Sequence, residues 1–249
     1  MENKVTIDPS KVGKYHMAVN CVILGFDKNE LNVMLGKRKF VVDGNTVSDY
    51  ILPGTLMHAS ESLDDTIQRV LTERLGLNGI RKFQIKTYSA NECPVKRNDV
   101  EWVKQQIGTE IDTPISIAYL SGGKIGRKLN LQNALEGYEW YPINKAMEMP
   151  LAFNQTTMIS DAMEFLRYHI EIEPLIVFNL LPSKFTALQL RTLYECIFGK
   201  TLDVRNFTKK MKQYEYVVPL DEVEKGVAHR AARYYRFDRV KYKRFRRGI

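Results

Sequence analysis

The chain has 249 residues, 44% of them hydrophobic, and a formal net charge of +8. That length suits one large domain or two modest ones, with enough apolar material for a packed core, as in an ordinary soluble protein. No run of 18 apolar residues and no basic-apolar-small leader stands in it, so we expect neither a membrane span nor export, and a cytoplasmic location.

The positive charge is concentrated at one end. Residues 174–249 hold 17 Lys and Arg against 7 Asp and Glu, whereas residues 1–173 hold 20 against 22. A basic module on a nearly neutral body suggests a polyanionic partner, because neutralising phosphates releases condensed counterions. Cys21, Cys93 and Cys196 are scattered without metal-type spacing and read as reduced packing thiols. His16, His58, His169 and His229 form no ligand pattern, so neither a metal site nor a cofactor is expected.

In chain order, Tyr15 to Phe26 is rich in β-branched and aromatic residues and reaches a turn at Asp27-Lys28-Asn29. Leu31 to Arg38 follows as a second strand, so the two predict a hairpin. The stretch LPGTLMHASESLDDTIQRVLTERLGL, Leu52 to Leu77, predicts a loop and then a helix over Leu63 to Leu75, with Leu63, Ile67, Val70, Leu71 and Leu75 on one face. This stretch resembles the Nudix box, G-x5-E-x7-R-E-U-x-E-E-x-G-U with U apolar. Glu61, Arg69, Leu71, Glu73, Gly76 and Leu77 match it. Thr55, next to Gly54, stands at the box glycine, Val70 at the glutamate after the arginine, and Arg74 at the second glutamate of the closing pair. In such a box the helix carboxylates hold magnesium against a diphosphate, since a hard cation requires several oxygen ligands. Val70 removes one ligand. Arg74 adds a positive charge, which at about 4 Å opposes a cation by roughly 4 kcal/mol per unit charge at an effective dielectric near 20. Glu61, Arg69 and Glu73 then read as a salt-bridged loop and helix that shape the fold, with retained catalysis as the alternative.

Phe83 to Tyr88, Ile115 to Leu120 and Gly137 to Pro142 read as further strands. Ser89 to Thr113 reads as a polar loop with a helical turn around Trp102 to Ile107, in a position where ligand contacts are often carried. Leu151 to His169 predicts a helix from about Asn154, with Ile159, Met163 and Leu166 inward. Glu171 to Pro174 is a candidate hinge. This gives a domain over 1–170 and a second over 171–249, beginning with Leu175 to Leu181.

In the second domain, Ser183 to Gly199 predicts a helix with Thr186 as N-cap, Leu190, Leu193 and Ile197 inward and Gly199 as its stop. After a five-residue link, Asp203 caps a helix in which Phe207, Met211 and Tyr214 point inward. That leaves Arg205, Asn206, Lys209, Lys210 and Lys212 outside, a helix-turn-helix pattern. Tyr216 to Leu220 and Ala232 to Phe237 read as two strands joined by a polar loop with Lys225, Gly226, His229, Arg230 and Arg233, which makes a wing. Arginine and asparagine at a helix start can address guanine and adenine edges, while lysines and wing residues hold phosphates.

The runs FNLLPSKFTALQLRTLYECIFGKTLDVRNFTKKM, LAFN and AARYYRF are similar to those of the Nudix-related transcriptional regulators of the NrtR and arabinose-repressor type. The resemblance implies an α+β chain, a Nudix-type mixed sheet between helices followed by a winged helix-turn-helix domain. By it, Lys184, Thr186, Arg205, Asn206, Lys209, Lys210, Arg230 and Arg233 face DNA, and the protein is a homodimer on palindromic operator DNA. It further implies a repressor whose catalytically inactive Nudix domain binds a small-molecule effector. Asn154 replaces the aspartate usual after Ala-Phe, and the segment Val95 to Thr113 replaces the Asp-Pro-Arg-Gly-type loop of nucleotide-sensing members. With Thr55, these departures shift the expected effector from ADP-ribose to a sugar or another phosphate-free metabolite. Two alternatives stand beside the regulator: an active Nudix pyrophosphohydrolase with a basic accessory domain, and an RNA-binding or protein-interaction module.

Overall fold

A computed structural model describes residues 15–27, 29–108, 114–123, 125, 137–226 and 231–247. Strand β1 (His16–Asp27) runs through the middle of a mixed sheet and alternates its side chains between two apolar clusters. Val19, Cys21 and Ile23 face one cluster, Val22, Leu24 and Phe26 the other. β2 (Glu30–Val42) pairs antiparallel with β1, and Asn29, just before it, takes a φ of 65°. β2 turns at Asp43-Gly44 into β3 (Asn45–Ile51), with Val42 opposite Asn45. Asp43 and Gly44 have φ of 50° and 78°, the backbone that a two-residue Asp-Gly hairpin requires. This second hairpin carries β2 past the predicted end at Arg38.

The short β4 (Gly54–Leu56) pairs antiparallel with β1, and the box helix begins at α1 (Leu63–Arg69). The single predicted helix is in fact two pieces, because Val70–Arg74 forms a π-helical turn. Val70 and Leu75 are five apart, and an i→i+5 turn brings both onto the buried side together with Leu71. Gly76, at φ 64°, ends the turn. β5 (Lys82–Tyr88) follows. The polar stretch expected to be loop holds α2 (Arg97–Ile107), eleven residues long, ended by Gly108 at φ 74°. Its amide cap is supplied by Asp99, whose carboxylate accepts from the Lys96 amide, a signal hidden among the other polar residues.

β6 (Pro114–Gly122) pairs parallel with β1 and antiparallel with β5. β7 (Tyr138–Pro142) pairs with β2 and leads into the short α3 (Ile143–Ala146). A 3-10 turn, Ala152–Asn154, then opens α4 (Gln155–His169). Ile159, Met163 and Leu166 of α4 are buried as predicted, against the sheet face opposite α1.

The C-terminal part begins with α5 (Leu175–Leu180), β8 (Phe185–Thr186), α6 (Ala187–Phe198) and α7 (Val204–Gln213). β9 (Val217–Val223) and β10 (Arg233–Phe237) are antiparallel, and β8 completes a three-stranded sheet on the other side of β10. A last helix, α8 (Arg239–Arg247), packs back through Tyr242. The chain is thus α+β, with a Nudix-type mixed sheet between helices and a winged helix-turn-helix after it. The apolar cluster under α4 continues into α5, α6, Met211 of α7 and Tyr242 of α8. The winged helix therefore shares its core with the sheet.

Candidate effector site and nucleic-acid surface

The box keeps its shape through one ion pair. Arg69 donates through Nε and Nη2 to the two carboxylate oxygens of Glu61 at 2.6 and 2.8 Å, and also to the Leu56 carbonyl at 3.0 Å. Glu61 further accepts from the His58 amide and the Thr66 hydroxyl. The Arg69 guanidinium, with these donors, lowers the Glu61 pKa to about 2. A carboxylate so fully engaged by its own chain has little oxygen left for a metal. Glu73 is exposed on the π-helical turn. Among the described residues, no three His, Cys, Asp or Glu side chains gather in a metal-holding group.

Arg74 is the residue that changes the site. Its guanidinium is exposed, donates to the Gly54 carbonyl at 2.8 Å and to the Thr55 hydroxyl at 3.1 Å, and lies by the buried phenol of Tyr138. Thr55 also accepts from Arg69 at 3.3 Å, so two guanidinium groups converge on the side chain that stands at the box glycine position. Gly54 holds the close approach of β4 to β1: a Cβ there would lie 2.5 Å from Asn20 Oδ1 and 2.8 Å from the Val19 carbonyl. Gly76 keeps the left-handed position that ends the box.

A second cluster, not anticipated from the sequence, lies between α2, β2, β3 and the start of α4. Arg38 is buried, donates to both oxygens of Asp49 at 2.7 and 2.6 Å, and to Asp99 at 2.7 Å. Its guanidinium sits 4.7 Å from the Trp102 ring centroid and 5.3 Å from that of Phe153. Phe153 and Asn154 both have left-handed backbone, φ 51° and 52°, and the Phe153 amide donates to Asp99 at 3.2 Å. Asn154, in place of the usual aspartate, donates to the Thr157 hydroxyl. The next residue, Gln155, is fully buried and joins the Leu52 amide to the Asn20 side chain. These contacts tie the box loop and the replacement segment with α2 into one frame. An isolated arginine in a strand carries no sequence signal of such a role; two aspartates 11 and 61 positions away supply it only after folding.

The winged helix is built as its sequence predicts. The Thr186 hydroxyl accepts from the Gln189 amide, while the Gln189 side chain accepts from the Thr186 amide. Leu190, Leu193 and Ile197 are fully buried, and Gly199 ends α6 at φ 65°. Asp203 caps α7 by accepting from the Asn206 amide at 2.8 Å, and Phe207 packs edge-on against Tyr194 of α6. Arg205, Asn206 and Lys209 are exposed together on α7, and Arg233 is exposed at the start of β10. Lys184 and Lys210 are exposed but ion-paired, Lys184 to Glu222 at 2.6 Å and Lys210 to Glu171 at 2.7 Å. Thr186 is buried, its hydroxyl engaged in the cap. His229 and Arg230 fall outside the described residues.

The junction preceding α5 is not a free hinge. Glu173 is buried and accepts from the Tyr242 hydroxyl at 2.6 Å and from Arg246 at 2.9 Å, both on α8. It also pairs with Arg81, at the entrance to β5, at 3.2 Å. One carboxylate therefore joins the sheet domain to the C-terminal helix.

Residues 177–237 match the family described as the NrtR DNA-binding winged helix domain. Over 225 residues the chain is 25% identical to the ADPR responsive transcriptional repressor NtrR of Acinetobacter baylyi, covering 89% of this chain and 81% of that protein. Among solved structures, Shewanella oneidensis NrtR complexed with a 27mer DNA aligns with a TM-score of 0.67 at 19% identity, over 91% of this chain and 95% of the other. A MutT/nudix family protein from Enterococcus faecalis aligns with a TM-score of 0.63 at 19% identity, over 92% and 88%. At these identities the two structures establish the fold, while the family match fixes the C-terminal domain. The chain is thus similar to Nudix-related regulators of the NrtR type, with a Nudix-fold body followed by a domain that matches the NrtR winged helix.

Proposed function

We propose that the protein is a homodimeric repressor that binds operator DNA through residues 171–249 and an effector through residues 1–170. The observation that carries this reading is the exposed row Arg205, Asn206 and Lys209 on α7, in the part of the chain that holds the positive surplus. Lys184, Lys210, Arg230 and Arg233 serve the phosphates in this reading, and Thr186 acts by fixing the start of α6. Lys184 and Lys210 would exchange their carboxylates for phosphate oxygens on binding. A duplex from upstream of the protein's own operon should bind more tightly than random duplex at matched salt. Equal affinity for both ends the proposal.

For the effector, the residues favour a diphosphate over the phosphate-free sugar expected from sequence. Arg74, exposed at Gly54 and Thr55, supplies without metal the positive charge that a hydrolase takes from magnesium, while Arg69 stays committed to Glu61. The ADPR-responsive relative points to the same chemistry, a nucleoside diphosphate joined to a sugar. ADP-ribose in the presence of a chelator should raise the melting temperature, since a ligand specific for the folded state stabilises by about 2.7 kcal/mol at 100 times Kd. A shift with arabinose and none with ADP-ribose reverses the assignment. Retained, exposed Glu73 keeps the hydrolase alternative testable: turnover of ADP-ribose with magnesium or manganese that Glu73→Gln abolishes would establish it.

A further inference from the structure

We propose that α8, beyond the matched winged-helix domain, is a second phosphate-binding element that grips duplex DNA beside the site read by α7. This inference rests on the DNA-binding reading above. The helix Arg239–Arg247 carries Arg239, Lys241, Lys243, Arg244, Arg246 and Arg247 in nine residues, with no acidic side chain among them. All six are exposed, and among the described residues only Arg246 forms an ion pair, with Glu173. Like charges three and four apart destabilise a helix, so this one is held by other means. Asp238 accepts from the amides of Val240 and Lys241 at its start, and Tyr242, buried, bonds to Glu173. Phe245 packs edge-on against Tyr216 at 5.4 Å.

The anchoring residues define which face is free. With Tyr242 and Arg246 turned toward the protein, the 3.6-residue period sets Lys243, Arg244 and Arg247 around Val240 on the side away from the core, and leaves Arg239 on the flank beside Arg246. Lys243 and Arg247 stand about 6 Å apart along the axis with Arg244 between them, a dense patch of charge for a phosphate backbone. The same geometry argues against a membrane. A helix lying on lipid presents a continuous stripe of large apolar residues, whereas here Tyr242 is buried, Phe245 is 57% exposed but leans on Tyr216, and Val240 stands apart from it on the free face among cations. Because Glu173 also holds Arg81, α8 is fixed relative to the Nudix-fold body as well as to the wing.

The test compares full-length wild type with Lys243→Ala/Arg244→Ala/Arg247→Ala, and separately with the single charge reversal Arg244→Glu, by fluorescence anisotropy on upstream and random duplexes across a salt series. The triple variant should keep the wild-type melting temperature and weaken both duplexes by the same factor. It should also flatten the slope of log K against log salt by about 2 to 3, near 0.9 for each phosphate that is no longer neutralised. Arg244→Glu should act in the same direction. Unchanged affinity and slope in both variants, with wild type preferring its own upstream duplex, overturn the role of α8 and leave the regulator reading standing. If wild type binds neither duplex, both readings fall; stronger binding of single strands than of duplex also overturns the proposal.

Discussion

The Nudix-fold body and the C-terminal surface use the same residue types under opposite conditions. In the body, Arg38 and Arg69 are enclosed and meet carboxylates at 2.6 to 2.8 Å. On α7 and α8, Arg205, Lys209, Arg239, Lys243 and Arg247 stand in solvent. The enclosed charges are paired with carboxylates inside the fold and give shape; the exposed ones leave a field that an outside anion can neutralise. Charge content alone would have treated the two sets alike. Their surroundings separate a scaffold from a recognition surface.

The comparison breaks most directly at Arg38. Arg38→Met removes the cation between Asp49 and Asp99 and leaves one buried and one part-buried carboxylate without it, a loss of about 3 to 5 kcal/mol in urea unfolding. A loss under 1 kcal/mol would mean the cluster is not a structural keystone. Arg205→Ala should give the reverse pattern: stability within about 0.5 kcal/mol of wild type, yet about 1 to 3 kcal/mol less discrimination between operator and random duplex. Equal weakening on both duplexes would make Arg205 a phosphate contact instead of a base reader. Lys184→Ala lies between the two classes. Its exposed pair with Glu222 is worth at most about 1 kcal/mol to stability, so a larger effect on DNA affinity than on unfolding would place Lys184 with the recognition surface.

The sequence made some of this division visible and concealed the rest for identifiable reasons. Local signals predicted α6 and α7, because Thr186, Gly199 and Asp203 act within a few residues of where they stand. Strand periodicity likewise marked β1, β5 and β6. Of α2 only the turn around Trp102 to Ile107 is legible in the sequence, because its residues are mostly polar and its single fully buried charge, Asp99, has its partner in β2. Arg38 could not be read as a site residue, since both aspartates reach it only through sheet pairing and the docking of α2. β8 is two residues long and exists through pairing with β10. α8 did carry a signal: Asp238 before it, then Tyr242 and Phe245 three apart in a basic run. Glu173, 69 positions from Tyr242, is what makes this basic run a packed helix. At the box, the substitutions Val70 and Arg74 were legible one by one. That Arg74 would turn toward Gly54 and Thr55 depended on the π-helical turn.

The gentlest test concerns the pair that keeps the box in shape. Glu61 in the folded protein titrates at about 2 instead of near its ordinary 4.5, chiefly because of the Arg69 guanidinium. A depressed carboxylate contributes stability that is fully present above about 4.5 and is lost as pH falls toward about 2, because protonation then favours the unfolded chain. Glu61→Gln keeps acceptors for Arg69 and the His58 amide but cannot ionise. The wild-type advantage over this variant, followed by urea midpoints at stepped pH, should be constant above about 4.5 and shrink steadily below it. Asp65, whose carboxyl is lowered mainly by its bonds to Ser62, loses a nearby negative charge in the variant and would titrate slightly lower still, which makes the convergence shallower without changing its sign. An offset that stays constant down to the acid limit of folding would mean that the charge of Glu61 is not what holds Arg69. The box would then owe its shape to the apolar face of Ile67, Val70, Leu71 and Leu75, buried whether or not the pair is ionised.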